Sequence, residues 1–267
     1  MNMRQIVAYL EKLAPLELAE AWDSVGLLIG DPDGQIERLM VCLTVMQATV
    51  DEAIAQGAHL IVAHHPLPFR PLAKIVCNDP TGQLVWKLCR HGISLYSPHT
   101  AWDNAQEGIN QRIARRLNLD SIGPMIPHPT NPRVGSGRCG TLPMAIPSHE
   151  VVKLVADALP MAQPRWIGRT ARRIERIGIV CGSGGSLISA AAAAGCQLLI
   201  TGEATYHQAL EASHRGLDLL LLGHGPSERF AMDELAGELA LQFPELEVWS
   251  SRDEWDPFAE STAEGQT

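Results

Sequence analysis

Three short stretches carry the side chains best suited to chemistry. The first, LIVAHHPLPF, ends an apolar run in His64 and His65, just before a proline. Neighbouring side chains on a strand point to opposite faces unless the chain turns. Pro66 supplies that turn, so both imidazoles can reach one pocket as neutral nitrogen ligands. The second stretch, SPHTAWDNAQEGIN, offers His99 and Asp103 ahead of a helix expected to open near Glu107. In the third, GHGPSER, His224 and Glu228 stand four residues apart, and a helix opening at Ser227 and Glu228 would let both face one side. Taken singly, each also fits a plainer reading: a polar loop tip, a helix-initiating Asp103, a first-turn Glu228 that suits the helix dipole.

Together they make a ligand set. His64, His65, Asp103, His224 and Glu228 are three histidines and two carboxylates. A structural zinc ion uses four ligands and a catalytic one uses three plus water, so five ligands point to a second divalent ion sharing a carboxylate, with Glu228 as the bridge. A metal pair of this kind deprotonates water for hydrolytic attack. His and carboxylate donors suit Zn, Fe, Mn and Co alike.

The elements that must position these residues repeat along the chain. IERLMVCLTVMQATVDEAIAQGAHLIVAHH (36–65) reads as strand, helix with Gly57 at its C-terminal end, and strand. IERIGIVCGSGGSLISAAAAAGCQLLITGE (174–203) aligns with it without a gap, offset by 138 (Ile36 to Ile174). Each copy then continues to a glycine, a short strand and a histidine, His99 or His224. Right-handed crossovers bring the carboxyl ends of such strands to one side, where open α/β sheets bind ligands. The expected architecture is α/β, with two similar α/β domains from an internal duplication, 1–125 and 126–267, and the metal site between them. A tail from about residue 254 is expected to fray.

In the second copy Glu203 takes the place of His65. It is assigned with His99 to catalysis, as a general base or a water-orienting group, with a helix cap or salt bridge the alternative for Glu203. His207 is assigned to substrate contacts, with support of the metal ligands from behind the alternative for it and for His99. GSGGS after IGIVC has no Gly-Lys-Ser/Thr, and Leu187 stands where a dinucleotide fingerprint has its third glycine. It reads as a tight strand-to-helix turn, with binding of an anionic substrate left open. The stretch Gly123–Gly140, rich in Pro and Gly, reads as a linker or a loop into an edge strand.

Composition narrows the classes. Of 267 residues 46% are hydrophobic and only 5% aromatic, so the core is built of aliphatic side chains. A net charge of −9 argues against a nucleic-acid groove, which needs clustered Lys and Arg. The first residues form an amphipathic helix rather than a signal peptide, and no apolar run reaches membrane length. Six cysteines without a Cys-x-x-Cys pair read as small buried hydrophobes in a cytoplasmic protein.

The motifs in their order, WDSVGLLIG, LIVAHHPLPFRPL, SPHTAWDNAQEGIN, TGEATYHQAL, GHGPSER and VWSSRDEWDPF, span nearly the whole chain. They resemble the Nif-three-like family of dinuclear-metal-centre proteins, homologues of GTP cyclohydrolase I type 2. The resemblance implies that His64, His65, Asp103, His224 and Glu228 match the metal positions one for one. It also implies two divalent ions per subunit, a toroidal hexamer, and no inserted middle domain in a chain of this length. The family label implies water addition to the guanine imidazole ring with release of formate. Two readings of function stand: a metal-dependent hydrolase of a nucleotide-like or small anionic substrate, or a non-catalytic metal-delivery protein or hexameric regulatory scaffold.

Overall fold

In chain order the strands are β1 (Gly26–Ile29), β2 (Arg38–Cys42), β3 (Leu60–Ala63), β4 (Ser94–Ser97), β5 (Asp120–Gly123), β6 (Ile126–His128), β7 (Asn131–Ser136), β8 (Arg138–Pro147), β9 (Arg165–Ile167), β10 (Arg173–Val180), β11 (Leu198–Thr201), β12 (Asp218–Leu221) and β13 (Glu247–Ser250). They come from a computed structural model that describes residues 1–160, 162–168 and 172–259. One sheet has the order β1-β4-β3-β2-β13 and the other β5-β8-β10-β11-β12-β9, while β6 and β7 pair with each other. Strands β3 and β11, LIVA and LLIT, are buried at every residue, as parallel strands covered on both faces must be.

The two sheets repeat one plan. Leu39 pairs with Leu60 and Ile177 with Leu198, each pair displaced by the same 138 residues. His59 Nδ1 accepts the amides of Glu37 and Arg38, and at the equivalent place Gln197 Oε1 accepts those of Glu175 and Arg176. The helices Gln47–Ala55 and Ile188–Ala193 are followed by Gly57 and Gly195 at φ of +63° and +73°, left-handed positions that end a helix at little cost only in glycine. An antiparallel edge strand closes each unit, β1 on β4 and β9 on β12.

The halves do not part at residues 125 and 126. β5 pairs with β8 in the second sheet, and β13 returns to lie parallel to β2 in the first, covering an edge that would otherwise expose its hydrogen-bonding groups. The Pro-rich connection is not a bare linker either, because it folds into the β6–β7 hairpin and the start of β8. The tail expected to fray is tied down at its start: the Glu254 carboxylate accepts the Leu43 and Thr44 amides at 3.1 and 2.6 Å and pairs with Arg229 at 3.0 Å. Residues 260–267 of that expectation lie outside the described residues.

One apolar cluster joins Leu39, Val41, Leu60 and Val62 of the first sheet to Ile177, Ile179, Leu198 and Ile200 of the second. Each such side chain contributes about 1.5–3 kcal/mol when fully buried, so this shared core fixes the carboxyl ends of β3, β4, β11 and β12 relative to one another. Among the described residues no helix is long and apolar enough to cross a membrane.

Candidate metal centre

Each half sends a short helix from its third parallel strand. After β4 comes His99–Asn104, carrying His99 and Asp103, and after β12 comes His224–Glu228, carrying His224 and Glu228. Both are His-x-x-x-acid turns, in which residues four apart share a face. His99 and Asp103 therefore stand within a helix and not ahead of one; the next helix opens at Ile109 rather than near Glu107. A six-residue helix is too short to announce itself by periodicity.

These turns meet at the tip of β3. Glu228, 3% exposed, is the hub: its Oε2 lies 3.1 Å from His65 Nε2 and 3.4 Å from His224 Nε2, and its Oε1 lies 4.0 Å from His64 Nε2. Asp103 Oδ1 is 3.6 Å from the same His64 nitrogen. All five residues expected as ligands are thus brought together. His99 joins them, because ligand atoms of His64, His65 and His99 lie within 4.8 Å of one another, as do those of His65, His224 and Glu228.

The partners on the far side of each ring set its tautomer. Thr44 Oγ1 is 2.8 Å from His65 Nδ1, Glu203 Oε1 is 3.1 Å from His224 Nδ1, and both Asp23 oxygens are 2.8 Å from His99 Nδ1. With Nδ1–H donated outward, each ring can offer Nε2 inward once that nitrogen has lost its proton, the arrangement that metal-binding histidines adopt. Buried His64 has no hydrogen-bond partner at either nitrogen, a costly condition unless the ring binds something. Burial, then the neighbouring His65, His99 and His224, hold its pKa well below the ordinary histidine value, so it stays neutral.

The carboxylates show the complementary strain. Burial and then the charge of Glu228 push Asp103 up to about 7. For His224, burial alone would depress the pKa, but Glu228 and Glu203 outweigh it and raise it; Asp23 and Asp103 do the same for His99. A cation would relieve the mutual repulsion of Asp103 and Glu228 and satisfy the orphaned His64 ring, so the residues present fit a bound divalent metal.

Several supports escaped the sequence reading. Cys181 donates its S–H to Asp103 Oδ1 at 3.1 Å, and burial keeps that thiol protonated. Asn110 binds the Asp103 carbonyl and accepts the Cys181 amide. The buried Arg138, its pKa lowered to about 10 by burial, donates to the Asn104 and Ala105 carbonyls at the end of the helix that carries Asp103. The glycine-rich turn has a steric purpose: a Cβ on Gly182, whose φ is +60°, would lie 2.3 Å from Glu228 Oε1 and 3.2 Å from His224 Nε2.

Glu203 is half exposed and bonded to His224. His207 lies exposed on the helix Tyr206–His214, in ring contact with Tyr206 and outside both ligand groups. The exposed rings of Trp22 and Phe69 approach His99 at 6.0 and 6.1 Å. On another side, a cavity of about 440 Å³ opens against His65, Glu203 and His224, walled by Met46, Trp255 and Phe258.

Two α/β sheets on a shared core, with histidines and carboxylates gathered at their strand ends, define an α/β protein with a candidate metal centre. The chain belongs to the Duf34/NIF3 (NGG1p interacting factor 3) family, whose model matches residues 1–257. It is similar to the "GTP cyclohydrolase 1 type 2 homolog" of Clostridium perfringens, 31% identical over 259 residues that cover 97% of this chain and 99% of that one. It is also similar to "NIF3-like protein 1" of Drosophila melanogaster, 34% identical over 245 residues, with 90% and 82% covered. A Bacillus cereus protein related to NIF3 has the same fold, with a TM-score of 0.88 at 21% identity, covering 97% of this chain and 99% of that one.

Proposed function

We propose that the chain is a metal-dependent hydrolase of the GTP cyclohydrolase 1 type 2 homologue kind, acting on a nucleotide-like or small anionic substrate. In this reading His64, His65, Asp103, His224 and Glu228 hold two divalent ions. The observation that carries it is the position of Glu228, whose two oxygens face different histidines, Oε1 toward His64 and Oε2 toward His65 and His224. A carboxylate so placed can serve two ions at once. When bound, the ions supply Lewis acidity and lower the pKa of coordinated water toward neutrality.

The chain's own residues then have separate tasks. His99, with Nδ1–H fixed on buried Asp23 and Nε2 facing the cluster, takes up the proton that a nucleophilic water gives up. Glu203 and Thr44 hold His224 and His65 in the ligating tautomer. The cavity beside His65 and His224 receives the substrate. Its wall offers one guanidinium, Arg229, already paired with Asp233 and Glu254, so an anionic group there is balanced chiefly by the ions.

The test is to measure bound metal in the wild type and in Glu228→Ala, while following formate release from GTP. Loss of metal and of formate release together supports the reading. Unchanged metal content in the variant refutes the bridging role, and a metal-loaded wild type that consumes no substrate with any divalent ion favours metal delivery or a regulatory scaffold.

A further inference from the structure

Three sulfur atoms outside the His–carboxylate cluster meet over a single glycine of the second sheet. Cys139 on β8 is the register partner of Gly178 on β10, and directly opposed residues of an antiparallel pair share a face. A Cβ on Gly178 would stand 3.2 Å from Met125 Sδ and 3.3 Å from Cys196 Sγ. Cys196 is the neighbour that acts most strongly on the Cys139 thiol. Arg176 Nη2 donates to Cys139 Sγ at 3.4 Å. Both cysteines are buried, Met125 is partly exposed, and Ile188, Leu199 and Leu217 pack around them.

Two buried thiols can be joined directly or through an ion, and the third sulfur favours the ion. Cys139 belongs to β8, and Cys196 lies in the turn between the helix Ile188–Ala193 and β11. A disulfide would join only two of the sulfurs and leave the Met125 thioether unused, whereas an ion takes all three as donors. A donor set of two cysteines and a methionine thioether suits a soft ion, since Ca and Mg require oxygen and structural zinc takes four ligands. With a monovalent ion two thiolates leave one net negative charge, which the Arg176 guanidinium matches.

We propose that Cys139, Cys196 and Met125 form an all-sulfur site for a soft monovalent cation of the Cu(I) class, separate from the His–carboxylate centre. Glycine at 178 lets Met125 Sδ, Cys196 Sγ and the Leu199 side chain close over the strand, since a Cβ there would meet all three within 3.2–3.3 Å. Cys139 is prepared as a thiolate: the Cys196 S–H, and then the Arg176 charge, overcome burial and bring its thiol down to about 6. Loading transfers the Cys196 proton to solvent.

The test uses Ag(I) as a stable surrogate, with anaerobic Cu(I) alongside, on a chain carrying Cys77→Ser and Cys89→Ser to remove the two exposed thiols. The expected result is one Ag(I) per chain with a metal–thiolate ultraviolet band, and protection of Cys139 and Cys196 from alkylation under partial denaturation. Cys139→Ser and Cys196→Ser lose the band, and Met125→Leu binds Ag(I) more weakly while keeping it. Melting curves show whether each variant folds, and the protection assay leaves all three sulfurs in place should one fail. Persistence of the band and stoichiometry in Cys139→Ser, absence of protection, or ready closure of a Cys139–Cys196 disulfide by hydrogen peroxide would each overturn the proposal.

Discussion

The tips of β3 and β11 are equivalent by register, yet they play different parts. The first ends in His64 and His65, whose rings enter the cluster; the second ends in Gly202 and Glu203, and Glu203 stands outside, holding His224 by its far nitrogen. The helices that follow differ in the same manner. His99–Asp103 and His224–Glu228 share one spacing, but His99 is tied back to Asp23 while His224 faces Glu228. In the proposed reading, two similar scaffolds provide an inner set of ligands from both halves, a proton-accepting pair from the first and a positioning carboxylate from the second. The teaching is that the scaffold fixes where side chains converge, and the side chain at each place fixes what it does.

That division of labour can be broken at graded cost. Gly182→Val places carbon against Glu228 and forces a β-branched residue to positive φ, so it removes metal binding outright and destabilises the fold by about 2–3 kcal/mol; metal analysis and urea melts check it. Asp23→Asn leaves metal content intact and lowers turnover roughly 100-fold, because His99 loses the carboxylate charge that steadies a proton on its ring. Equal loss of metal and turnover would instead make His99 a ligand. Glu203→Gln retains a hydrogen bond to His224 but not the charge, and weakens metal affinity by about tenfold, as calorimetry would read.

The smallest effect is that of pH. Asp103, held up to about 7, and His224, also raised, keep their protons into the range where ordinary carboxylates have lost them. A proton on either competes with the metal, so affinity rises as pH climbs from 5 toward 7 and then flattens, with proton release on binding. His64, depressed and already neutral, adds no competition. Affinity that is flat across this range would show that the carboxylate–histidine repulsion is absent from the metal-free protein.

Much of this site was legible in the sequence because its residues sit at strand ends and helix starts, where period and punctuation are readable. His64 and His65 before Pro66, and the alignment of 36–65 with 174–203, located the convergence without coordinates. Asp23 was not legible as a site residue, since only the fold brings it to His99, 76 positions away. Cys181 and Arg138 were invisible for the same reason: a scattered cysteine and a lone arginine acquire meaning only through Asp103 and the carbonyls of Asn104 and Ala105. GSGG was legible as a turn, but its close approach to Glu228 was not. The cut at residue 125 failed because β5 and β13 exchange sheets, a matter of non-local pairing that no local pattern encodes.

The central claim is that Glu228 joins two metal positions assembled from both halves. Crystals equilibrated with Mn(II) or Zn(II), measured for anomalous scattering, test it most directly. Two peaks per chain on either side of the Glu228 carboxylate, one near His64 and the other near His65 and His224, are predicted; a single peak, or two that leave Glu228 without contact, would contradict it.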